Sequence, residues 1–265
     1  MNIYKRELKA HYKSLLIWSA GIMFLVVAGM GKYSAGAAAG QDSMNDLMKQ
    51  MPQSLQNLFG VGVFDLSVPI EFFAIMMMYI LLIAGVHGVM LGAGIISKEE
   101  RDKTAEFLLV KPVSRSRIIR SKLLAAVTLQ AVLFLATYAA CIGILSKFSD
   151  ISEFSTELSK FMASMAAIQL LFLAVGAFFA GLLKDPKKSA AAGTSVLMVM
   201  FIFSIVADIV EKANFLKYFS FFKYFDAKDI LVRGYSMVYP VISAVIVVVL
   251  IYGAFYFYKR RDMKI

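Results

Sequence analysis

Few side chains in this 265-residue chain could do covalent or metal chemistry. There is one cysteine, Cys141, and there are two histidines, His11 and His87. A lone cysteine forms no intramolecular disulfide, and with two distant histidines it does not make a four-ligand zinc site. Neither HExxH nor a paired acidic motif of a membrane-embedded hydrolase occurs, and Ser195 and Ser204 have no base beside them in their apolar stretch. Met44, Met48 and Met51 sit among Leu47, Leu55, Leu58 and Phe59 at helical spacing. Thioethers suit Cu(I), but an apolar face packed on lipid or on a neighbouring helix accounts for the row better. There is no GxxxxGK[ST] phosphate cradle, the nearest approach being Gly36 to Gly40 followed by Gln41. The chain is therefore expected to be non-catalytic, with no cofactor of its own.

Recognition chemistry is concentrated in one stretch instead, residues 97–122, SKEERDKTAEFLLVKPVSRSRIIRSK. It mixes the acids Glu99, Glu100, Asp102 and Glu106 with eight Lys/Arg, carries a short apolar run from Phe107 to Val110, and stops at Lys111 and Pro112. Ser114 can cap the helix that follows. Four acids are not what a merely basic membrane loop needs. The pattern reads as a short helix offering apolar and charged side chains to a partner.

The elements that must hold this stretch are set by the solvent. The chain is 60% hydrophobic and 17% charged, with mean hydropathy +0.72, against about 25% charged in ordinary soluble domains. A water-soluble domain is excluded, and 22 Phe with 12 Tyr exclude disorder. A helix needs about 20 apolar residues to cross a bilayer. Six stretches meet that length, at about 15–31, 72–96, 123–145, 161–183, 189–210 and 237–258. Each is apolar on all faces. The charges of Lys184, Asp185, Lys187 and Lys188 around Pro186 separate spans four and five by a tight turn. A secretory signal is the competing reading of residues 1–40, but the apolar run exceeds the usual signal-peptide core.

Six spans put both termini on one side. That side collects 19 Lys/Arg and 7 acids, net +12, and the other collects 9 and 11, net −2. By the positive-inside rule both termini are cytoplasmic, so the overall +10 reports topology rather than nucleic-acid binding. Tyr4, Leu8, Tyr12 and Leu15 form a stripe on residues 1–14, which predicts an amphipathic helix on the cytoplasmic leaflet. The first external loop is too long for a turn. The segment 208–236 mixes aromatics with charges, as at a membrane interface, and predicts short external helices. Gly88 and Gly92 form a GxxxG pair that lets another helix approach closely. Gln130 and Gln169 can hydrogen-bond across helices or touch substrate. His87 is the only ionisable group in mid-span and reads as a packed polar residue. Ion-coupled transport, which uses intramembrane charges, loses weight accordingly.

Residues 97–122 resemble the loop after the second span of type-2 ATP-binding cassette (ABC) transporter permeases. That family's pattern is an acidic pair, Gly-Thr, Glu, Leu-Leu, then Pro-Val-Ser-Arg and a Lys opening span three. Here it is met by Glu99 and Glu100, Thr104, Glu106, Leu108 and Leu109, Pro112, Val113, Ser114, Arg115 and Lys122, with Lys103 in place of the glycine. Pro52, Leu55, Phe59 and Gly60 look like the family's first external loop, and Phe222, Tyr224, Phe225 and Asp226 like its segment before span six. The resemblance implies an all-α membrane domain, with residues 1–14 as connecting helix and 97–122 as the coupling-helix loop. That loop would dock on a separate cytoplasmic ATPase carrying ATP and Mg. It also implies a homodimer, or a heterodimer with a similar permease, in the plasma membrane of a bacterium, moving substrate along a seam lined by spans two and five. With so few charges, a lipophilic or amphipathic molecule or an antimicrobial peptide fits as exported substrate. A non-transporting sensor or anchor with the same ATPase partner is the alternative.

Overall fold

A computed structural model describes residues 2–38, 50–53, 56, 64–104, 106 and 113–260. Six helices within them are long and apolar enough to cross a membrane. They are α1 (Ile3–Ala38), α2 (Pro69–Arg101), α3 (Arg115–Leu145), α4 (Ile151–Leu182), α5 (Pro186–Ile209) and, after the distal segment, α8 (Val238–Arg260). Between α5 and α8 lie a 3-10 helix (Glu211–Phe219) and two short helices, α6 (Phe221–Tyr224) and α7 (Ala227–Arg233). The chain is thus a multi-pass, all-helical membrane domain.

Local chemistry marks several boundaries. Ser114 Oγ accepts a hydrogen bond from the Arg117 N–H and caps α3. Asp185 accepts from the N–H groups of Lys187 and Lys188 at the start of α5, where Pro186 takes the first helical position. Helices overrun the apolar stretches that signal them: α4 starts at Ile151 although Glu153, Glu157 and Lys160 lie in its first turns. Hydropathy reports the surrounding solvent, whereas the helix continues for as long as its backbone groups are paired.

The first stretch differs from the expectation of a separate surface helix. Residues 3–14 are continuous with the span in one 36-residue helix, about 54 Å long at 1.5 Å per residue, well beyond the roughly 30 Å of hydrocarbon. Tyr4, Leu8 and Leu15 pack on a protein cluster that includes Ile95, Ile119 and Leu129, and only Tyr12 of the stripe is left exposed. The Tyr4 hydroxyl lies 3.0 Å from Thr128 Oγ1 on α3.

α2 and α4 form the centre. Some 61% and 67% of their most apolar windows are buried inside the subunit, against 17%, 11% and 11% for α1, α5 and α8. Glycines bring the two central backbones together. A Cβ on Gly92 would sit 2.2 Å from the Leu173 carbonyl oxygen and one on Gly88 2.8 Å from that of Gln169, while one on Gly176 would sit 2.2 Å from that of Val89. Gln130 Nε2 on α3 donates to the Gln169 carbonyl at 2.9 Å, tying a third helix to this crossing.

α1 runs antiparallel along α2 in a constant register. Glu7 meets Lys98, Trp18 meets His87 and Gly29 meets Met76, eleven residues apart on each helix. Eleven residues are close to three full α-helical turns, so the two helices keep the same faces together. Tyr33 and Phe72 continue the seam, with ring centroids 5.4 Å apart. The start of α1 and the end of α8 lie at the end of the bundle marked by Arg6, Glu99 and Lys259, here called basal: Arg6 bonds Glu99, and Arg115 Nη1 donates to the Lys259 carbonyl at 3.2 Å.

Candidate functional site

The connection from α2 to α3 rises from a knot of buried charge at the basal end. Glu99, in the last turn of α2, is 5% exposed. Its Oε1 is 2.5 Å from Arg6 Nη2 on α1, and its Oε2 binds Lys122 Nζ on α3. Lys122 is wholly buried and also donates to the carbonyls of Ile95, at 2.5 Å, and Ile96, at 3.3 Å. A cation is favourable there because the carbonyl end of a helix carries partial negative charge. Glu7, fully buried, bonds Arg6 at 2.7 Å and Lys98 at 3.2 Å. Two carboxylates and three cations thus join three helices at one level. Removing one partner of such a pair strands a buried charge, typically at about 3–5 kcal/mol.

Directly after Glu99 the helix ends in a defined turn. The Thr104 N–H donates to the Glu99 carbonyl at 2.8 Å and the Lys103 N–H to that of Glu100 at 3.4 Å. Lys103 has φ 53°. This is the double-bonded, left-handed helix end usually made with glycine. Lys103 therefore occupies the position where the family pattern carries Gly, and it adopts the backbone a glycine would take at lower cost.

The residues singled out from sequence divide at this turn. Glu99 differs from the expectation of an outward-facing docking group, because its carboxylate is used inside the subunit. Thr104 and Glu106 are exposed, and Glu100 is half-buried beside them. Leu108, Leu109 and Pro112, with the apolar run 107–110 of the expected coupling helix, lie outside the described residues. Ser114 is exposed and spends its hydroxyl on the α3 cap, and Arg115 links the start of α3 to the end of α8. Sequence reasoning missed Glu7, although it is the one acid among Lys5, Arg6, Lys9 and Lys13 and stood out for that reason.

At the opposite end, residues 211–233 fold back on α2 and α5. Lys223 Nζ lies 2.6 Å from Asp208 and also binds Asp226, which caps α7 through the Lys228 N–H at 3.0 Å. Burial pulls the Lys223 ammonium pKa down, but Asp226 and Asp208 outweigh it and hold the group above its usual range. Phe222 and Phe225 are buried, and Ser220 Oγ donates to the Met200 carbonyl at 2.7 Å. Of the stretch between α1 and α2 that the sequence reading places outside, Pro52 is described, whereas Leu55, Phe59, Gly60, Met44, Leu47 and Met48 lie outside the described residues.

The sequence model for ABC-2 family transporter proteins matches residues 1–263. The chain belongs to the ABC-2 transporter family. No curated protein matches it. Family membership and six membrane-crossing helices make the chain a transmembrane permease component of the multi-pass type. ABC-2 membership also implies, in general terms, association with an ABC ATPase. In this ABC-2 permease the basal charge knot joins α1, α2 and α3 directly before the turn that ends α2.

Proposed function

We propose that the chain is the membrane subunit of an ATP-driven exporter of lipophilic or amphipathic molecules. In this reading the basal end is cytoplasmic, and separate ATPase chains, carrying ATP and Mg, dock on the 97–122 loop. Glu100, Thr104 and Glu106, with Leu108, Leu109, Pro112, Ser114 and Arg115, are the contact residues, and two permease chains work as a dimer.

The observation that carries this reading is the knot of Arg6, Glu7, Glu99 and Lys122 at the root of the loop. A loop that is to move helices needs a stiff root, and here its first turn is bonded to Glu99, which is bonded to α1 and α3. A push on the loop is delivered to three spans together. The net positive basal end agrees with a cytoplasmic placement.

The test is purification from native membranes, followed by reconstitution in liposomes with any ATPase that co-purifies. The proposal expects a cassette ATPase whose turnover rises on adding amphipathic substrate and which drives its accumulation. Purification with no ATPase would overturn it. An intact complex whose turnover ignores every substrate would replace the exporter with a membrane sensor.

A further inference from the structure

The α1–α2 seam is packed along most of its length and opens at one place. At Gly29 it is full: a Cβ there would lie 2.1 Å from Met76 Cε. Between the Glu7–Lys98 and Trp18–His87 contacts the same register sets His11 opposite Gly94, and a Cβ on Gly94 would meet nothing within 4 Å. The resulting slot has a volume of about 290 Å³ and is walled by α1, α2 and Leu129 of α3.

Three features of the slot point to a ligand. His87, 4% exposed, lines it beside Trp18 and has an Nδ1 with no hydrogen-bond partner. His11 lines the basal part, and its Nε2 has no hydrogen-bond partner either, the nearest carboxylate oxygen of Glu7 being 3.9 Å away. Buried polar atoms left in this state are costly, so a bound polar group at either position would be favourable. The basal mouth also carries a guanidinium: Arg101 lines the slot with Ser14, its Nε donating to Asp102 at 3.0 Å. Finally, Met90 on the slot wall is 51% exposed, so the slot opens sideways on the flank of the bundle.

We propose that this slot binds an anionic amphiphile. Its carboxylate or phosphate sits at the basal mouth by His11, Ser14 and Arg101. Its chain lies against Trp18, Leu91 and Leu129, and an ester, amide or hydroxyl group bonds His87. The Arg101 guanidinium sets the head, and the lateral opening admits the chain from the membrane. The same chemistry is offered by a free fatty acid and by an anionic phospholipid. The proposal does not rest on the ATPase reading, because binding is measured on the permease alone.

Trp18 is the one tryptophan of the chain and stands in the slot wall, so its fluorescence reads occupancy directly. The purified full chain in detergent is titrated with dibromostearate, brominated-chain phosphatidylglycerol and brominated-chain phosphatidylcholine. The expected result is saturable quenching by an anionic probe, with half-saturation about tenfold weaker for phosphatidylcholine or for Arg101→Gln, as loss of one charge-assisted contact implies. Saturation by dibromostearate alone identifies a fatty acid as occupant, and saturation by phosphatidylglycerol identifies the phospholipid. Gly94→Leu, which fills open space, should abolish the saturable phase while its elution profile stays that of the parent protein. Quenching that rises in proportion to probe, regardless of head charge, would overturn the proposal. If Gly94→Leu fails to fold, unchanged half-saturation in Arg101→Gln would overturn it equally.

Discussion

Glu99 and Lys122, 23 residues apart, meet in a buried ion pair that closes the base of the connection between α2 and α3. Arg6 shares the same carboxylate, so the pair is one edge of a three-helix joint. Lys122→Met leaves Glu99 and the α2 carbonyls facing a hydrocarbon chain and should cost about 3–5 kcal/mol. Combining it with Glu99→Gln should recover part of that loss, because the second change removes the stranded charge. Thermal unfolding of the two single variants and the double variant in one detergent checks this. Strictly additive effects would mean that the two groups do not act as a pair.

The turn after Glu99 makes an opposite prediction. A left-handed backbone costs a side chain with a Cβ about 1 kcal/mol or more, and Lys103 sits at φ 53°. Lys103→Gly should raise stability by about 1 kcal/mol, and Lys103→Val, with its branched Cβ, should lower it. The measurement is again the melting temperature, with membrane insertion as control.

Gly92 and Gly94 differ by one turn-fraction and should differ in sign. A methyl on Gly92 collides with the Leu173 backbone, whereas one on Gly94 meets open space. Gly92→Ala should destabilise by about 1–3 kcal/mol as overpacking does. Gly94→Ala should be neutral or stabilise by about 0.5–1 kcal/mol through the helix preference for alanine. Melting of the two variants side by side decides it.

The distal cluster of Lys223, Asp208 and Asp226 predicts a pH dependence. Asp226 and Asp208 hold the Lys223 pKa above 10.5. A raised ammonium pKa contributes stability that is fully present below the unfolded value and is lost as pH rises through the folded one. The difference in stability between the parent protein and Lys223→Met should therefore be flat from neutral pH to about pH 10 and should shrink only above 10.5. Urea unfolding across that range tests the sign. Shrinkage on acidification alone, with no change at alkaline pH, would assign the effect to the carboxylates.

Hydropathy located the six spans because lipid demands apolar residues on every face, and that demand is written locally. What hydropathy does not carry is pairing between distant residues. Glu7 looked like one acid in a basic segment, and its burial depends on Lys98, more than ninety positions away. The stripe Tyr4, Leu8 and Leu15 is the same whether it faces lipid or α3, so periodicity alone favoured the wrong neighbour. The turn at Lys103 was visible only through the resemblance to a glycine pattern, since lysine itself signals no left-handed backbone. The α1–α2 seam, with its eleven-residue step and its gap at Gly94, becomes legible only once the two helices are placed side by side.

An ATPase docking on the 97–122 loop is proposed to meet Glu100 and Glu106 among its contacts. This docking is tested most directly by reversing both charges, Glu100→Lys with Glu106→Lys, and measuring ATPase retention on the permease purified from membranes. Loss of the ATPase is expected, with membrane insertion and the permease elution profile unchanged. Full retention of the ATPase, with undiminished substrate-stimulated turnover, would contradict it.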